Sequence, residues 1–429
     1  MNDESPTHQQ CRILTDILFE VLFKLKCLKS MYPKLFYFKI LLILSYQNIL
    51  LGQVDCFLKV DSIIKQRMIE NRILGLSIGI VKNGEIFYCK GYGYTNLDSI
   101  YPVASDTRFV TGSITKLFTV TAIMQLVEQG KLDLNKKLID YIPDFQLRGN
   151  RYREITLFHL ITHTSGLPWD NYLAKSENDS TSLKQFIYSL KNAKLNFKPG
   201  EKFSGQTYSN TGYDILGYLI EKITHISFDK YVELNILNKT GMKNSAFSYT
   251  KIPTNKFALP HKLAGNTKEI NRFNLYGEIK DKNPILKYPE LNIIEWKNYQ
   301  IDKPEHHPSG WLYSTAYDLS NWMLHNLTVF NDSLNYENHF LNNSTLKEMW
   351  TSQKKIENKK TSIGLGWWKY DDTVKGNYVF HVGRIPGYSS TLMIFPDKNI
   401  GIAILCNGMY ADQIIWNSLP FEVLKIIND

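Results

Sequence analysis

Short apolar runs lie near both ends of this chain. The turn-forming pair Asn83-Gly84 separates the runs LSIGIV and IFYCKGYGYT, which have the composition of two β-strands joined by a hairpin. Three more strand-like runs come late in the chain: YVFHVG, YSSTLMIFP and IGIAILCN. They are followed by PFEVLKIIN, which has helical spacing. Strands are therefore expected near both ends, with a closing helix.

The middle of the chain has helical spacing instead. Apolar residues recur at helical intervals from Leu117 to Val127, and Gly130 ends that pattern. Similar spacing returns in ITLFHLITHTSGLP, SLKQFIYSLKNA, TGYDILGYLIEKITH and LYSTAYDLSNWMLHNL. The stretch 251–307 is polar, punctuated by proline and only weakly periodic, which indicates an insertion.

This order of elements predicts an α/β fold of the α+β type. One antiparallel sheet is built from N- and C-terminal segments and flanked by helices, and a mainly helical lobe is inserted between them. We expect the sheet lobe to comprise about 57–110 and 308–429, and the helical lobe about 111–307. Residues 53–429 then form one domain with a cleft between its two lobes.

Residues 1–52 are predicted to be an N-terminal extension. From Leu35 to Gly52 the chain is almost wholly apolar, and Lys34 precedes this segment. Such a pattern is typical of an export signal. The segment is short for a membrane span, and an uncleaved anchor and a buried apolar helix are the alternatives. We expect an extracytoplasmic protein, either secreted, periplasmic or membrane-anchored.

Composition narrows the classes of function. The 429 residues carry a net charge of +9, but the lysines are scattered, which argues against a nucleic-acid-binding surface. The five cysteines form no Cys-x-x-Cys pair, so neither a small disulfide framework nor a zinc module is expected. We predict no metal and no other cofactor. The expected partners are small molecules, with membrane attachment through 35–52 as an additional alternative.

Ser113 and Lys116 form a Ser-x-x-Lys motif at the start of a helical pattern. Three residues along a helix bring a hydroxyl and an ammonium group to one face. A serine hydroxyl becomes a good nucleophile when a base takes its proton, and a lysine can be that base or can favour another one electrostatically. The helix N-terminus also offers a free backbone N–H near the reacting oxygen.

The motif alone does not identify a site. It also begins at Ser62, Ser227, Ser248, Ser344 and Ser352. Ser113 differs from these because the small-residue turn Thr111-Gly112 precedes it and a long apolar helix follows it. The context therefore selects Ser113.

Tyr208 and Asn210 form a Tyr-x-Asn motif in a loop before the helix TGYDILGYLIEKI. Loops of this kind present side chains outward. A tyrosine near a lysine charge has its phenolate stabilised and its pKa lowered, so it can exchange a proton near neutral pH. Asn210 can hold the lysine or a substrate amide. A packing role for the tyrosine is the alternative.

His381-Val382-Gly383 is the only His-x-Gly sequence in the chain, and Arg384 follows it. A strand edge that faces the serine can supply a second N–H group to an oxyanion hole. His381 would then line the cleft and contact the substrate. A histidine satisfied within a sheet is the alternative.

These three motifs, in this order, resemble those of the penicillin-recognising serine hydrolases, specifically the class C β-lactamase-related branch. Four longer segments are similar to that branch as well: HLITHTSGLP, FKPGEKFSGQTYSNTGYDILGYLIEKIT, SGWLYSTAYDLSNWM and HVGRIPGYSSTLMIFPDKNIGIAILCN. The resemblance covers about residues 57–429. A literal Lys239-Thr240-Gly241 also matches the family's third motif, but it ends a helical run and is interpreted as a helix C-terminal turn.

The resemblance implies a role for each motif residue. It implies that Ser113 is the acyl-accepting nucleophile and that Lys116 and Tyr208 are the proton-transfer pair. Which of the two takes the serine proton stays open, because coupled groups share their titration. Water then hydrolyses the acyl-enzyme.

The same resemblance implies that Asn210 is a positioning group and that the backbone N–H groups of Ser113 and of Arg384, just past Gly383, bind the oxyanion. In β-lactamases and D-alanyl-D-alanine carboxypeptidases the third motif usually starts with lysine, whereas His381 is neutral over much of the physiological range. This difference favours the esterase and D-amino-acid peptidase members, although Arg384 can restore carboxylate binding.

We therefore expect a serine hydrolase that cleaves an ester or a peptide/amide bond through an acyl-enzyme. A β-lactamase or D-alanyl-D-alanine carboxypeptidase is the first alternative, and a non-catalytic binding protein on the same fold is the second. The expected substrate is a small ester, peptide or lactam-like molecule.

Overall fold

The structure is a computed structural model of the whole chain. It describes residues 33–98, 100–168, 182–248, 254–264, 292–295, 304–332, 340–357, 359–371 and 376–428. The chain divides into two compact units, one formed by 1–62 with 426–429 and the other by 63–425. The candidate site residues Ser113, Lys116, Tyr208, Asn210, His381, Gly383 and Arg384 all belong to the second unit.

The second unit is built on an eight-stranded sheet within the described residues. The strands are β1 (Gly75–Lys82), β2 (Glu85–Gly93), β7 (Lys354–Lys355), β8 (Thr361–Ile363), β9 (Trp368–Tyr370), β10 (Tyr378–Ile385), β11 (Tyr388–Phe395) and β12 (Ile400–Cys406). Their order across the sheet is β2-β1-β12-β11-β10-β9-β8-β7. All neighbouring pairs are antiparallel, which confirms the predicted sheet of N- and C-terminal segments.

Two short strand pairs lie outside the large sheet. They are β3 (Phe109–Val110) with β6 (Tyr313–Ser314), and β4 (His261–Ala264) with β5 (Asn292–Glu295). The second pair belongs to the stretch predicted as an insertion at 251–307, most of which lies outside the described residues.

Helices account for much of the remaining described chain. They are α1 (Pro33–Glu70), α2 (Thr115–Glu128), α3 (Leu138–Tyr141), α4 (Leu157–Ile161), α5 (Leu183–Ser189), α6 (Asn210–Thr224), α7 (Phe228–Val232), α8 (His307–Gly310), α9 (Ala316–Asn331), α10 (Asn343–Met349) and α11 (Leu419–Asn428). Helices α2 to α7 lie within 111–307, the range expected for the helical lobe, whereas α8 extends past it to Gly310.

The N-terminal extension was expected to contain an apolar segment at 35–52. The structure places this segment within α1, which runs from Pro33 to Glu70. Among the described residues, no helix has the length and apolar character needed to cross a membrane.

The centre of the sheet is buried because helices cover it. All residues of β12 and seven of the eight in β1 are buried. Gly79 on β1 lies directly under α9, where an added Cβ would be 2.1 Å from Ser320 Oγ and 2.6 Å from the Ala316 carbonyl oxygen. A glycine is thus required for the close packing of α9 on β1.

The region around the Ser-x-x-Lys motif differs in one detail from the prediction. Ser113 was expected in the first turn of a helix, but α2 begins at Thr115 and a 3₁₀ turn at Gly112–Ile114 precedes it. Gly112 has a φ of +56°, a conformation that favours glycine. The turn therefore redirects the chain just before the helix and carries Ser113 at the bend.

The Lys239-Thr240-Gly241 sequence lies at a helix C-terminus, as interpreted above. The Thr240 hydroxyl donates to the Ile236 carbonyl at 2.8 Å, and Gly241 has a φ of +71°. This geometry is typical of a helix end closed by glycine.

We predict that Gly79→Ala destabilises the protein, because its methyl group must displace α9 from the sheet. Overpacking of this kind costs about 1–3 kcal/mol of unfolding free energy, measurable by urea denaturation followed by circular dichroism. Gly205→Ala is the matched control, since an added Cβ there has nothing within 4 Å and a change within about 0.5 kcal/mol is expected. Equal effects of the two substitutions would contradict the packing argument.

Candidate active site

Ser113 lies where the 3₁₀ turn meets the sheet. The Ser390 hydroxyl on β11 donates to the Thr111 carbonyl at 2.7 Å. On the neighbouring strand β10, an added Cβ at Gly383 would be 2.0 Å from the same Thr111 oxygen. The close approach of β10 and β11 therefore fixes the backbone just before Ser113, whose side chain stays partly exposed.

Lys116 lies three residues after Ser113, and its side chain is fully buried. Its Nζ lies 3.1 Å from Ser113 Oγ and 2.7 Å from Asn210 Oδ1, and it also donates to the Ser309 carbonyl oxygen. These partners come from three separate elements: the 3₁₀ turn before α2, helix α6 and helix α8. A buried charge of this kind is tolerated only where such partners are provided.

The set of acceptors suits both protonation states of Lys116. A carbonyl oxygen and an amide oxygen can only accept, so they hold two N–H groups of the lysine in either state. Towards Ser113, the charged amine donates a third N–H, whereas the neutral amine presents its lone pair to the serine O–H. A proton can thus pass between Ser113 and Lys116 without movement of the lysine.

Tyr208 and Asn210 lie at the junction of a 3₁₀ turn and α6. The turn spans Gly205–Thr207, Tyr208 follows it, and Ser209 is the N-cap of α6 because its hydroxyl accepts from the Gly212 N–H at 3.2 Å. The cap fixes the first residue of the helix, Asn210, with its side chain directed to Lys116. Tyr208 lies beside the same lysine, whose Nζ is 5.0 Å from the centre of the tyrosine ring.

His163 joins this group, although the sequence analysis gave it no role. Its Nδ1 accepts the backbone N–H of Ser209 at 3.1 Å, and its ring lies 4.2 Å from that of Tyr208 and 5.2 Å from that of Tyr213. His163 has a φ of +56°, which is uncommon for a residue other than glycine. Burial, followed by the nearby Lys116 charge, holds the pKa of His163 well below its usual value, so the ring is neutral.

His381 lies on β10 and is 1% exposed. Burial lowers its pKa to about 3, and the Lys116 charge acts in the same direction. Its Nδ1 is 2.7 Å from the Val382 carbonyl oxygen, and because a carbonyl accepts, Nδ1 carries the hydrogen. Its Nε2 is therefore a buried acceptor, and it has no hydrogen-bond partner among the described residues.

The backbone and the side chain of Arg384 make contacts in different parts of the structure. Its backbone nitrogen lies beside the Ser113 turn, 2.8 Å from the position that a Cβ on Gly112 would take. Its guanidinium instead pairs with the buried carboxylate of Asp412 and lies 5.0 Å from the centre of the Trp416 ring. Asp412 is held in turn by the Ser389 hydroxyl at 2.6 Å.

Several contacts in this site have no signal in a single sequence. The Ser309 oxygen is a backbone atom, so no residue type marks it, although it lies in the segment SGWLYST. His163 had one signal in the sequence, since it lies in HLITHTSGLP, one of the segments that resemble the class C β-lactamase-related branch. Within the described residues, no cluster of His, Cys, Asp or Glu is arranged to hold a metal ion.

Comparisons with known proteins extend over most of the chain. A family model described as Beta-lactamase matches residues 60–424. Protein flp of Staphylococcus aureus (strain NCTC 8325 / PS 47) is 30% identical over 356 residues, which cover 81% of this chain and 62% of that protein. Penicillin-binding protein 4* of Bacillus subtilis (strain 168) is 27% identical over 334 residues, with 76% of this chain and 66% of that protein covered. The chain thus spans less than two thirds of the length of these relatives.

Solved structures have the same fold. The octameric penicillin-binding protein homologue from Pyrococcus abyssi has a TM-score of 0.67 and 25% identity, over 86% of this chain and 77% of that chain. A class C beta-lactamase has the same TM-score with 20% identity, over 86% of this chain and 96% of that chain, and at that identity the likeness concerns the fold alone. Since the family model matches most of its length, this chain belongs to the β-lactamase family of serine hydrolases, together with penicillin-binding proteins.

Proposed function

We propose that this protein cleaves an ester or amide bond through an acyl-enzyme on Ser113, as an esterase or D-amino-acid peptidase, outside the cytoplasm. The observation that carries the proposal is the buried amine of Lys116, 3.1 Å from Ser113 Oγ and fixed by acceptors on two other elements. A lysine amine held against a partly exposed serine hydroxyl is the pairing that activates a nucleophile.

The acylation step follows from this geometry. Ser113 Oγ attacks the substrate carbonyl carbon while its proton passes to Lys116 or, through it, to Tyr208. The backbone N–H groups of Ser113 and Arg384 stabilise the oxyanion of the tetrahedral intermediate. Collapse of that intermediate expels the alcohol or amine, which takes the proton, and leaves an ester on Ser113. Water then attacks the ester and restores the serine.

Tyr208 is proposed as the second member of the proton-transfer pair. Like Asn210 and Ser113, it lies beside Lys116, and its ring packs 4.2 Å from the neutral ring of His163. Since neither His163 nor His381 carries a charge, Lys116 is the cation whose field acts on the tyrosine hydroxyl.

The choice of an ester or D-amino-acid peptide over a β-lactam rests on the charge at the third motif. The neutral His381 offers an acceptor rather than a cation, and the Arg384 guanidinium is engaged by Asp412. A substrate carboxylate therefore gains little there. Names of relatives such as penicillin-binding protein 4* point the other way, which makes the comparison of substrates decisive.

The proposed nucleophile, Ser113, can be tested directly. A fluorophosphonate should form one adduct on Ser113 of the folded protein, located by peptide mass spectrometry. Ser113→Ala should lose the adduct and lower kcat for p-nitrophenyl acetate by at least about a thousandfold. Ser62→Ala is the matched control, because Ser62 also begins a Ser-x-x-Lys sequence, and it should keep both. Absence of the adduct in the wild type, or full activity of Ser113→Ala, would refute the proposal.

The substrate class is tested by the pH dependence and by competition. Because the pKa of His381 is about 3, its ring is uncharged between pH 5 and 9, and no limb of the kcat/KM profile in that window should come from it. The profiles of the wild type and of His381→Asn should have the same inflections and differ in height. Benzylpenicillin should compete weakly with p-nitrophenyl acetate. An inflection that His381→Asn removes, or acylation by penicillin faster than by the ester, would favour the β-lactamase or carboxypeptidase alternative.

A further prediction separates the two contacts of His163. His163→Asn keeps an acceptor for the Ser209 N–H and tolerates the positive φ, whereas His163→Phe keeps a ring beside Tyr208 but leaves the buried N–H without an acceptor, a loss of about 1–3 kcal/mol. We expect kcat to fall by about tenfold or more in the phenylalanine variant and much less in the asparagine variant, with little change in KM. The opposite ranking in steady-state kinetics would show that ring stacking, and not the hydrogen bond, positions Tyr208.

A further inference from the structure

The Ser309 carbonyl that binds Lys116 belongs to a short segment, 304–310, made of a 3₁₀ turn and α8. The preceding carbonyl, on Pro308, accepts the Thr119 hydroxyl of α2 at 2.6 Å. Two successive carbonyls therefore face α2. A helix of this length has little stability of its own, so other contacts must hold these carbonyls in place.

Two adjacent histidines connect this segment to two helices. His306 Nδ1 lies 2.8 Å from Asp214 Oδ2 on α6, and His307 Nδ1 lies 2.9 Å from each carboxylate oxygen of Asp229 on α7. A carboxylate only accepts, so each Nδ1 carries a hydrogen. The hydrogen bonds persist whether or not the second nitrogen of each ring is protonated.

Asp214, the partner of His306, lies on α6. The same helix carries Asn210, whose amide oxygen also accepts a hydrogen bond from Lys116. Asp214 follows Asn210 by one helical turn, and its side chain is fully buried. The pair thus connects the Ser309 carbonyl and the Asn210 amide, both ligands of Lys116, to a single rigid helix. Removal of a donor from a buried carboxylate is costly, which keeps the pair closed.

Packing confines the segment further. An added Cβ on Gly217 of α6 would be 2.1 Å from Pro308 Cγ, so the proline lies directly on the helix. The His306 ring packs edge-on against Phe186 at 5.0 Å, and the His307 ring stacks on Phe247 at 5.5 Å. Each histidine is therefore restrained by a ring contact and by a carboxylate.

We propose that His306 and His307, through Asp214 and Asp229, are positioning residues that hold the Ser309 carbonyl against Lys116. The expected effect on kcat rests on the proposed function of Ser113 and Lys116. The position of the Ser309 carbonyl against Lys116 does not depend on whether the protein is an active enzyme. Neither histidine touches the reacting atoms.

The test compares two substitutions of His306. His306→Phe keeps a ring beside Phe186 but has no donor for Asp214, whereas His306→Asn places an amide N–H where Nδ1 was. We expect His306→Phe to lower kcat for p-nitrophenyl acetate by about ten- to a hundredfold, as expected for a small displacement of a catalytic group. KM should change by less than about twofold, and His306→Asn should recover most of kcat. His307→Phe and His307→Asn should show the same ranking.

The control is Lys230→Gln, which removes an exposed ion pair with Glu233 on the surface of α7 and should leave kcat unchanged. If folded His306→Phe keeps kcat within twofold of the wild type, or if the asparagine variant is no better than the phenylalanine variant, the proposal is wrong.

Should His306→Phe fail to fold, Asp214→Asn, which keeps a neutral acceptor for His306, is measured in its place and should lower kcat by a smaller factor. Wild-type kcat in that variant would equally overturn the proposal.

A crystal structure of the variant separates this proposal from the proposed function. If Ser309 no longer contacts Lys116 in His306→Phe, or in Asp214→Asn where that variant replaces it, the positioning role is supported even if the wild type proves inactive. If the contact is retained, the positioning role is refuted even if Ser113 is labelled normally. Failure of the wild type to label with the fluorophosphonate bears on the proposed function alone.

Discussion

A lysine amine with no exposure to water needs acceptors, and the rest of the site follows from where Lys116 finds them. Its partners are the serine three residues earlier, an amide 94 residues later and a backbone carbonyl 193 residues later. Helix α2, the start of α6 and the segment around α8 must therefore be in place together. Desolvation of the amine without these oxygens would cost several kcal/mol, so the site and the helical core around it are stabilised as one cooperative structure.

The local parts of this arrangement could be predicted from the sequence. Ser113 and Lys116 come together because only three residues separate them, and the strands β1, β2, β10, β11 and β12 are long, mainly apolar runs bounded by turns. The order of the motifs along the chain then indicated the fold. The motifs did not predict the 3₁₀ turn at Gly112–Ile114. This turn depends on the close approach of β10 and not on the local composition.

The remaining contacts are long-range and involve ordinary residues. Strands β7, β8 and β9 are two or three residues long, too short for alternation to be visible. The Arg384 guanidinium was expected to be available for a carboxylate, but its partner Asp412 lies in a segment with no motif. The pairs of His306 and His307 likewise join residues that are remote in sequence, and a backbone oxygen such as that of Ser309 has no sequence signature at all.

The strand order of the sheet also has a consequence for folding during synthesis. Strand β1 lies between β2 and β12, and its residue Leu76 pairs with Cys406. During synthesis the hairpin β1–β2 leaves the ribosome before β12, so the edge of β1 lacks this neighbour until β12 has been made. Contacts of such high sequence separation fold slowly and leave strand edges open to association with other chains. Protection of this hairpin before the last strands arrive is thus a requirement set by the topology itself.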